Sequence, residues 1–330
     1  MTALSPYGNF TRMKVLITGG AGFIGSTLAD ALVKRGVQAV VIDDFNDFYA
    51  PSLKRENIAQ LSKNPLFRLY EADIRDREKV FEIFRLAKPN AVCHLAARAG
   101  VRPSIENPLL YEDVNCMGTL NLLDGAKEFG VKNFVFASSS SVYGINSKVP
   151  FSEDDPITCP ISPYATTKRA GELMCFTYSH LYALHATCLR FFTVYGERGR
   201  PDMAVAKFTR AIYDNRELQI FGDGSAQRDF TYIGDIVNGL INSIDNPFRY
   251  EIINLGGANT VTVKRLVELI EERLKKKAKI KYLLPAPGDV PMTYADVGKA
   301  KRLIGFEPKV AIEEGVGRYV NWFLEREKRH

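Results

Sequence analysis

The chain has 330 residues, 46% hydrophobic and 25% charged, which excludes a disordered chain, a collagen-like fibre and a disulfide scaffold. Its net charge of +6 is diffuse, and the densest basic run, Lys275-Lys276-Lys277, reads as a solvated helix end, so nucleic acid is not expected as a partner. No stretch approaches the ~20 apolar residues of a membrane span, so no membrane partner is expected either.

Residues 1–12 lack the basic-then-apolar plan of a signal peptide and read as a loose tail. Lys14–Thr18 is a short β-rich run ending at glycines. Phe23–Arg35 follows as a helix, with Ile24, Leu28, Leu32 and Val33 at helical spacing and Gly36 as its stop. Strands are then expected at Ala39–Ile42, Phe67–Tyr70, Ala91–Leu95, Asn133–Ala137 and Ala186–Phe192, with long helices over Val114–Phe129 and Tyr164–Tyr182. Strands apolar on both faces and joined by helices mean a parallel sheet covered on both sides. The fold class is therefore α/β: a Rossmann-type doubly wound sheet over residues 13–193. Beyond Thr193 glycines and prolines become dense, and Pro285-Ala286-Pro287-Gly288 marks a loop. Residues 194–330 are expected to form a smaller α/β substrate lobe, with 230–246 returning to the first domain. The five cysteines show no metal-ligand spacing and read as reduced core residues of a cytoplasmic protein; no metal site is expected.

Gly19, Gly22 and Gly25 stand between the first strand and first helix at GxxGxxG spacing. Such glycines permit a tight turn and close backbone approach to a pyrophosphate, which then faces the helix N-terminus. A glycine-rich turn that only caps a helix shares the pattern. Asp43 ends the second strand, 18 residues after Gly25, and can accept from both adenosine ribose hydroxyls. It would repel a 2′-phosphate, which favours NAD over NADP. Asp73 either reaches the adenine edge or is the N-cap of a helix over Arg75–Ala87.

Tyr164 and Lys168 form a Tyr-x-x-x-Lys pair on one helical face, where a cation beside the phenol eases its ionisation. A surface helix pair would read the same way. The preceding strand, however, ends in Ser138-Ser139-Ser140-Ser141, a hydroxyl-rich edge that packing alone does not call for. Arg200, in a Gly/Pro-rich loop, is either a solvated charge or a two-pronged donor for a carboxylate, with Thr193 and Ser140 or Ser141 as added hydroxyls.

These features resemble the extended short-chain dehydrogenases/reductases that act on nucleotide sugars. Asn46–Tyr49, His94–Arg102, Arg190–Gly196, Gly199–Met203, Arg228–Tyr232 and Gly288–Pro291 make the chain similar to UDP-glucuronate 4-epimerases from about Lys14 onward. The resemblance implies tightly bound NAD held by Gly19, Gly22, Phe23, Ile24, Gly25, Asp43, Asp73, Ile74, Leu95, Ala96, Ala97, Asn115, Tyr164 and Lys168. It implies that Tyr164 takes the proton of the sugar 4-hydroxyl, Lys168 holds the phenolate and the nicotinamide ribose, and Ser139 relays the proton at the 4-oxygen. Arg228 would meet the diphosphate and Asp289 the uridine ribose, with Arg102 a further substrate contact. The two long helices would pack as a homodimer interface.

Four other readings share the architecture. A 4,6-dehydratase would carry Thr-Asp-Glu where Ser139, Ser140 and Ser141 stand. A UDP-glucuronate decarboxylase would carry Glu at Ser141. A UDP-glucose/UDP-galactose 4-epimerase would place Asn at Thr193. A non-catalytic NAD-binding protein would typically lack Tyr164 or Lys168.

Overall fold

The structure, a computed structural model, describes residues 13–146, 148–284 and 290–328. The tail expected over 1–12, the Pro285–Gly288 loop and Asp289 lie outside the described residues.

The strands are β1 Lys14–Thr18, β2 Gln38–Asp43, β3 Phe67–Glu71, β4 Ala91–His94, β5 Asn133–Ser139, β6 His185–Phe191, β7 Thr193–Tyr195, β8 Glu217–Phe221, β9 Gln227–Tyr232, β10 Tyr250–Leu255, β11 Thr260–Thr262 and β12 Lys279–Leu283. Seven of them form one parallel sheet in the order β10-β6-β5-β4-β1-β2-β3. Successive residues of a strand point to opposite faces, so β1 sends Val15 and Ile17 to one face and Leu16 to the other. The first face packs on helix Phe23–Lys34 and helix Ile233–Asp245. The second packs on helices Arg77–Ala87, Gly118–Glu128 and Pro163–Tyr182. Each fully buried Leu, Ile, Val or Phe in these layers contributes about 1.5–3 kcal/mol.

The strand order reverses between β1 and β4, the switch point at which open α/β sheets bind ligands. Across this end lie a three-stranded sheet β11-β9-β7 and a parallel pair β12-β8.

Three local differences from the sequence reading have physical causes. The return to the large sheet runs beyond the expected 246: helix Ile233–Asp245 covers a face, and β10 adds the edge strand beside β6. The helix expected over Val114–Phe129 begins as a π-helix at Glu112–Met117 and becomes α-helical only at Gly118. Four cysteines are buried, but Cys159 is exposed on a loop and is not a core residue.

Candidate active site

Gly19 follows β1 with φ +67°, a conformation suited to glycine, and a Cβ there would stand 2.9 Å from the Ala96 nitrogen. At Gly25 a Cβ would collide with the Gly19 carbonyl. The turn therefore brings helix Phe23–Lys34 tightly onto β1 and β4. That helix begins at Gly22 without a side-chain cap and with no acidic residue in its first turn, so its N-terminal N–H groups are suited to an anion.

A cavity of about 1100 Å³ opens in front of this turn. Its walls include Gly19, Gly22, Phe23, Ile24, Gly25, Asp43, Asp73, Ile74, Leu95, Ala96, Ala97, Tyr164 and Lys168. The space, the bare helix N-terminus and the acid at one end fit a dinucleotide. Asp43 is buried and accepts from the backbone N–H groups of Ala21 (3.1 Å) and Phe45 (3.0 Å). It also pairs with the buried Lys54 ammonium at 3.4 Å. Asp73 is not the N-cap of the following helix. Asp76 is, through the Lys79 N–H at 3.0 Å, while Asp73 lines the cavity and pairs with Arg75. Burial works against its charge, but the Arg75 bonds outweigh it and hold the carboxyl below its ordinary range.

Asn115 does not line the cavity. Its amide accepts from Arg98 N (2.8 Å) and donates to Arg98 O (3.0 Å) and Thr167 Oγ1 (3.0 Å), tying the loop after β4 to helix Pro163–Tyr182. With its amide group engaged in this way, it supports the site from behind.

That helix starts at Ser162, whose side chain accepts from Ala165 N, with Pro163 in the first turn. It presents Tyr164, half-buried, and Lys168, buried. The expected contact between them is not what the structure shows. Lys168 Nζ donates to the Ala137 carbonyl at 2.7 Å, and Ser139 lies beside the Tyr164 hydroxyl, where it favours the ionised phenol. Burial raises the Tyr164 pKa, opposed by Ser139 and by the charge of Arg200 rather than of Lys168. Burial also lowers the Lys168 pKa to about 8.

Ser140, Ser141, Thr193 and Arg228 meet in a second cavity of about 640 Å³, with Val101, Phe151, Ser162 and Thr293. Arg200 is elsewhere: it lines the first cavity, paired with Asp202 at 2.7 Å and lying over the Phe48 ring. Arg102 is exposed and stacks on Phe221, 4.0 Å from the ring centre, so it belongs to neither cavity lining.

Several site residues escaped the sequence reading. Tyr111 is buried, donates to the Ala99 carbonyl at 2.6 Å and meets Tyr164 edge to face. Arg98, Phe48, Tyr49 and Lys54 line the dinucleotide cavity. Behind the site, Glu172 lies fully buried. It binds Arg190 through two bonds of 2.8 and 3.0 Å and accepts from Ser138 Oγ at 2.6 Å. A charged residue inside the apolar run Ala186–Phe192 was the one available signal, since a buried arginine demands a partner.

The profile of the family described as GDP-mannose 4,6 dehydratase matches residues 16–319. A UDP-glucuronate 4-epimerase of Thermodesulfobacterium geofontis (strain OPF15) is 48% identical over 94% of this chain and 96% of its own length. Among solved structures, the chain superposes with TM-score 0.90 on UDP-glucuronic acid 4-epimerase from Bacillus cereus in complex with UDP-glucuronic acid and NAD. The two are 35% identical over 95% of this chain and 100% of that one. UDP-glucose 4-epimerase from Thermotoga maritima, with UDP-glucose, gives TM-score 0.88 and 36% identity over 96% and 100% of the two chains.

Proposed function

The chain belongs to the GDP-mannose 4,6 dehydratase family within the extended short-chain dehydrogenases/reductases, and from that membership we propose that it interconverts UDP-glucuronate and UDP-galacturonate with bound NAD. The observation that carries the reading is the pairing of a Tyr164–Ser139 centre at the dinucleotide cavity with a cavity lined by Ser140, Ser141 and Thr193. A 4,6-dehydratase needs acid and carboxylate side chains where Ser140 and Ser141 stand, so family membership does not bring the dehydratase reaction with it.

Bound NAD would supply a hydride acceptor and donor at C4 of the sugar, on opposite faces of the ring. The glycine turn and the helix N-terminus would hold its pyrophosphate, and Asp43 its adenosine ribose. Asp73 and Ile74 would meet the adenine, and Leu95, Ala96 and Ala97 would line the dinucleotide. Tyr164 takes the 4-hydroxyl proton and later gives it back, with Ser139 as hydrogen-bond partner at that oxygen. Lys168, anchored on Ala137, would supply a cation for the nicotinamide ribose. Arg228, which lines the cavity with Ser140, Ser141 and Thr193, would meet the diphosphate. The 4-keto uronate is a β-keto acid that loses CO₂ readily, so its carboxylate must be held; Thr193, Ser140, Ser141 and Arg200 are the groups for that task. The same pocket chemistry separates this reading from a neutral-sugar epimerase. Turnover of UDP-glucuronate should exceed that of UDP-glucose in a direct comparison, and equal or reversed rates would remove the uronate from the reading.

The Lys168 pKa of about 8 fixes a pH dependence. Below that value the side chain is a cation, and above it neutral. kcat/KM is therefore expected to fall as pH rises through about 8. A profile still flat near pH 10 would show that the charge is not required.

We also read the protein as a cytoplasmic homodimer. The free thiols suit a reducing compartment. Leu109 (81% exposed), Met117, Leu173 and Phe176 lie exposed on or beside helix Pro163–Tyr182 and the π-helix, an apolar surface suited to a second copy. Light scattering should give a dimer mass for the native chain and a monomer mass for Leu109→Glu with Leu173→Glu; a native monomer would end this part of the reading.

A further inference from the structure

We propose that Asp202 is a latch: it fills the carboxylate-binding fork of Arg200 until a substrate carboxylate takes its place on the guanidinium. The inference rests on the uronate reading above and concerns how that substrate is selected.

Arg200 Nε donates to Asp202 Oδ1 at 3.0 Å and Nη2 to Oδ2 at 2.7 Å, the fork geometry that any carboxylate uses on this group. The loop builds the pair locally. Gly199 N donates to Gly196 O and Met203 N to Arg200 O, and the turn around Pro201 folds Asp202 back onto Arg200. The guanidinium lies 5.2 Å from the centre of the Phe48 ring, in the cavity that Tyr164 also lines, where its charge favours the Tyr164 phenolate. The hydroxyls expected around a sugar carboxylate, those of Ser140, Ser141 and Thr193, line the other cavity. For Arg200 to bind a sugar carboxylate with these same donors, it must give up Asp202.

The exchange is balanced. Arg200 gives up one carboxylate and gains another on the same donors. Asp202 is released at the solvent edge, where its side chain is already 48% exposed and readily hydrated. A sugar whose C6 carries a hydroxymethyl group offers no charge to replace the broken pair, so Arg200 stays latched and adds nothing to its binding. Asp202 thus makes the donors of Arg200 available only to a substrate that carries a charge, acting through Arg200 as a positioning residue.

The test is Asp202→Asn, which keeps shape and removes charge. KM for UDP-glucuronate is expected to fall roughly fivefold, the scale of an exposed ion pair, with kcat little changed and KM for UDP-glucose unaltered. In the Arg200→Ala background the same substitution should have no effect on KM. A rise in KM for UDP-glucuronate toward that of Arg200→Ala would make Asp202 a fixed support and overturn the latch, as would an unchanged KM. If the native enzyme does not turn over UDP-glucuronate at all, the uronate reading itself fails; native turnover with a failed latch leaves that reading standing.

Discussion

Tyr164→Phe should lower kcat by about 10²–10⁴-fold, the usual contribution of a positioned acid–base group. The phenol hydroxyl is the only part removed. The ring remains, and with it the edge contact to Tyr111, 6.3 Å between centroids. Among the described residues, no neighbour stands ready to replace the hydroxyl. Tyr111 gives its own proton to the Ala99 carbonyl, Lys168 is committed to Ala137, and Ser139 lacks the acidity to act alone. The loss should fall on kcat, while the dinucleotide stays bound, because the glycine turn and Asp43 do not depend on Tyr164. Steady-state kinetics with quantitation of bound nucleotide check both halves. A variant within about tenfold of the native kcat would mean that another group moves the proton.

Glu172→Gln should cost about 3–5 kcal/mol of stability, because it leaves the Arg190 guanidinium buried without its counter-charge. Arg190 is 1% exposed and Glu172 fully enclosed, so water cannot take over. Burial opposes the Glu172 charge, but the Arg190, Ser138 and Arg169 bonds prevail and set its folded pKa below the ordinary 4.5. A depressed carboxylate contributes its stability above about pH 4.5 and loses it as pH falls below, so the native protein should weaken in acid through this pair. The position matters for the site as well, since Ser138 precedes Ser139 and Glu172 lies one turn beyond Lys168. Denaturant unfolding at neutral pH measures the cost. The double change Glu172→Leu with Arg190→Met removes both charges and should lose less than Glu172→Gln alone. A single variant as stable as the native chain would show that the buried charge is compensated elsewhere.

The strands and the dinucleotide turn were legible because their signals are local. Apolar runs, glycine spacing and an acid at the end of β2 each depend on neighbours in sequence. The choice of partner for a side chain was not. Asp73 and Asp76 both precede a helix, and only the backbone path makes Asp76 the cap. Lys168 turns to the Ala137 carbonyl because β5 runs directly beneath it, a tertiary fact that a four-residue spacing cannot carry. Asn115 is drawn behind the cavity by Arg98 and Thr167, 17 and 52 residues away. Arg200 shows the same limit most sharply. Its residue type and loop pointed to carboxylate recognition, yet the carboxylate it holds in the structure is Asp202, only two residues on. The π-helical start at Glu112 also left no periodic trace, since a single widened turn barely alters apolar spacing.

The central claim is inversion at C4 of a uronate by an enzyme that carries its own NAD. The purified protein should be incubated with UDP-glucuronate, without added dinucleotide, and the products identified by NMR. Conversion to UDP-galacturonate, stopping at a mixture of the two sugars with no net redox change, is the predicted result. A UDP-pentose with released CO₂ would contradict it and make the enzyme a decarboxylase.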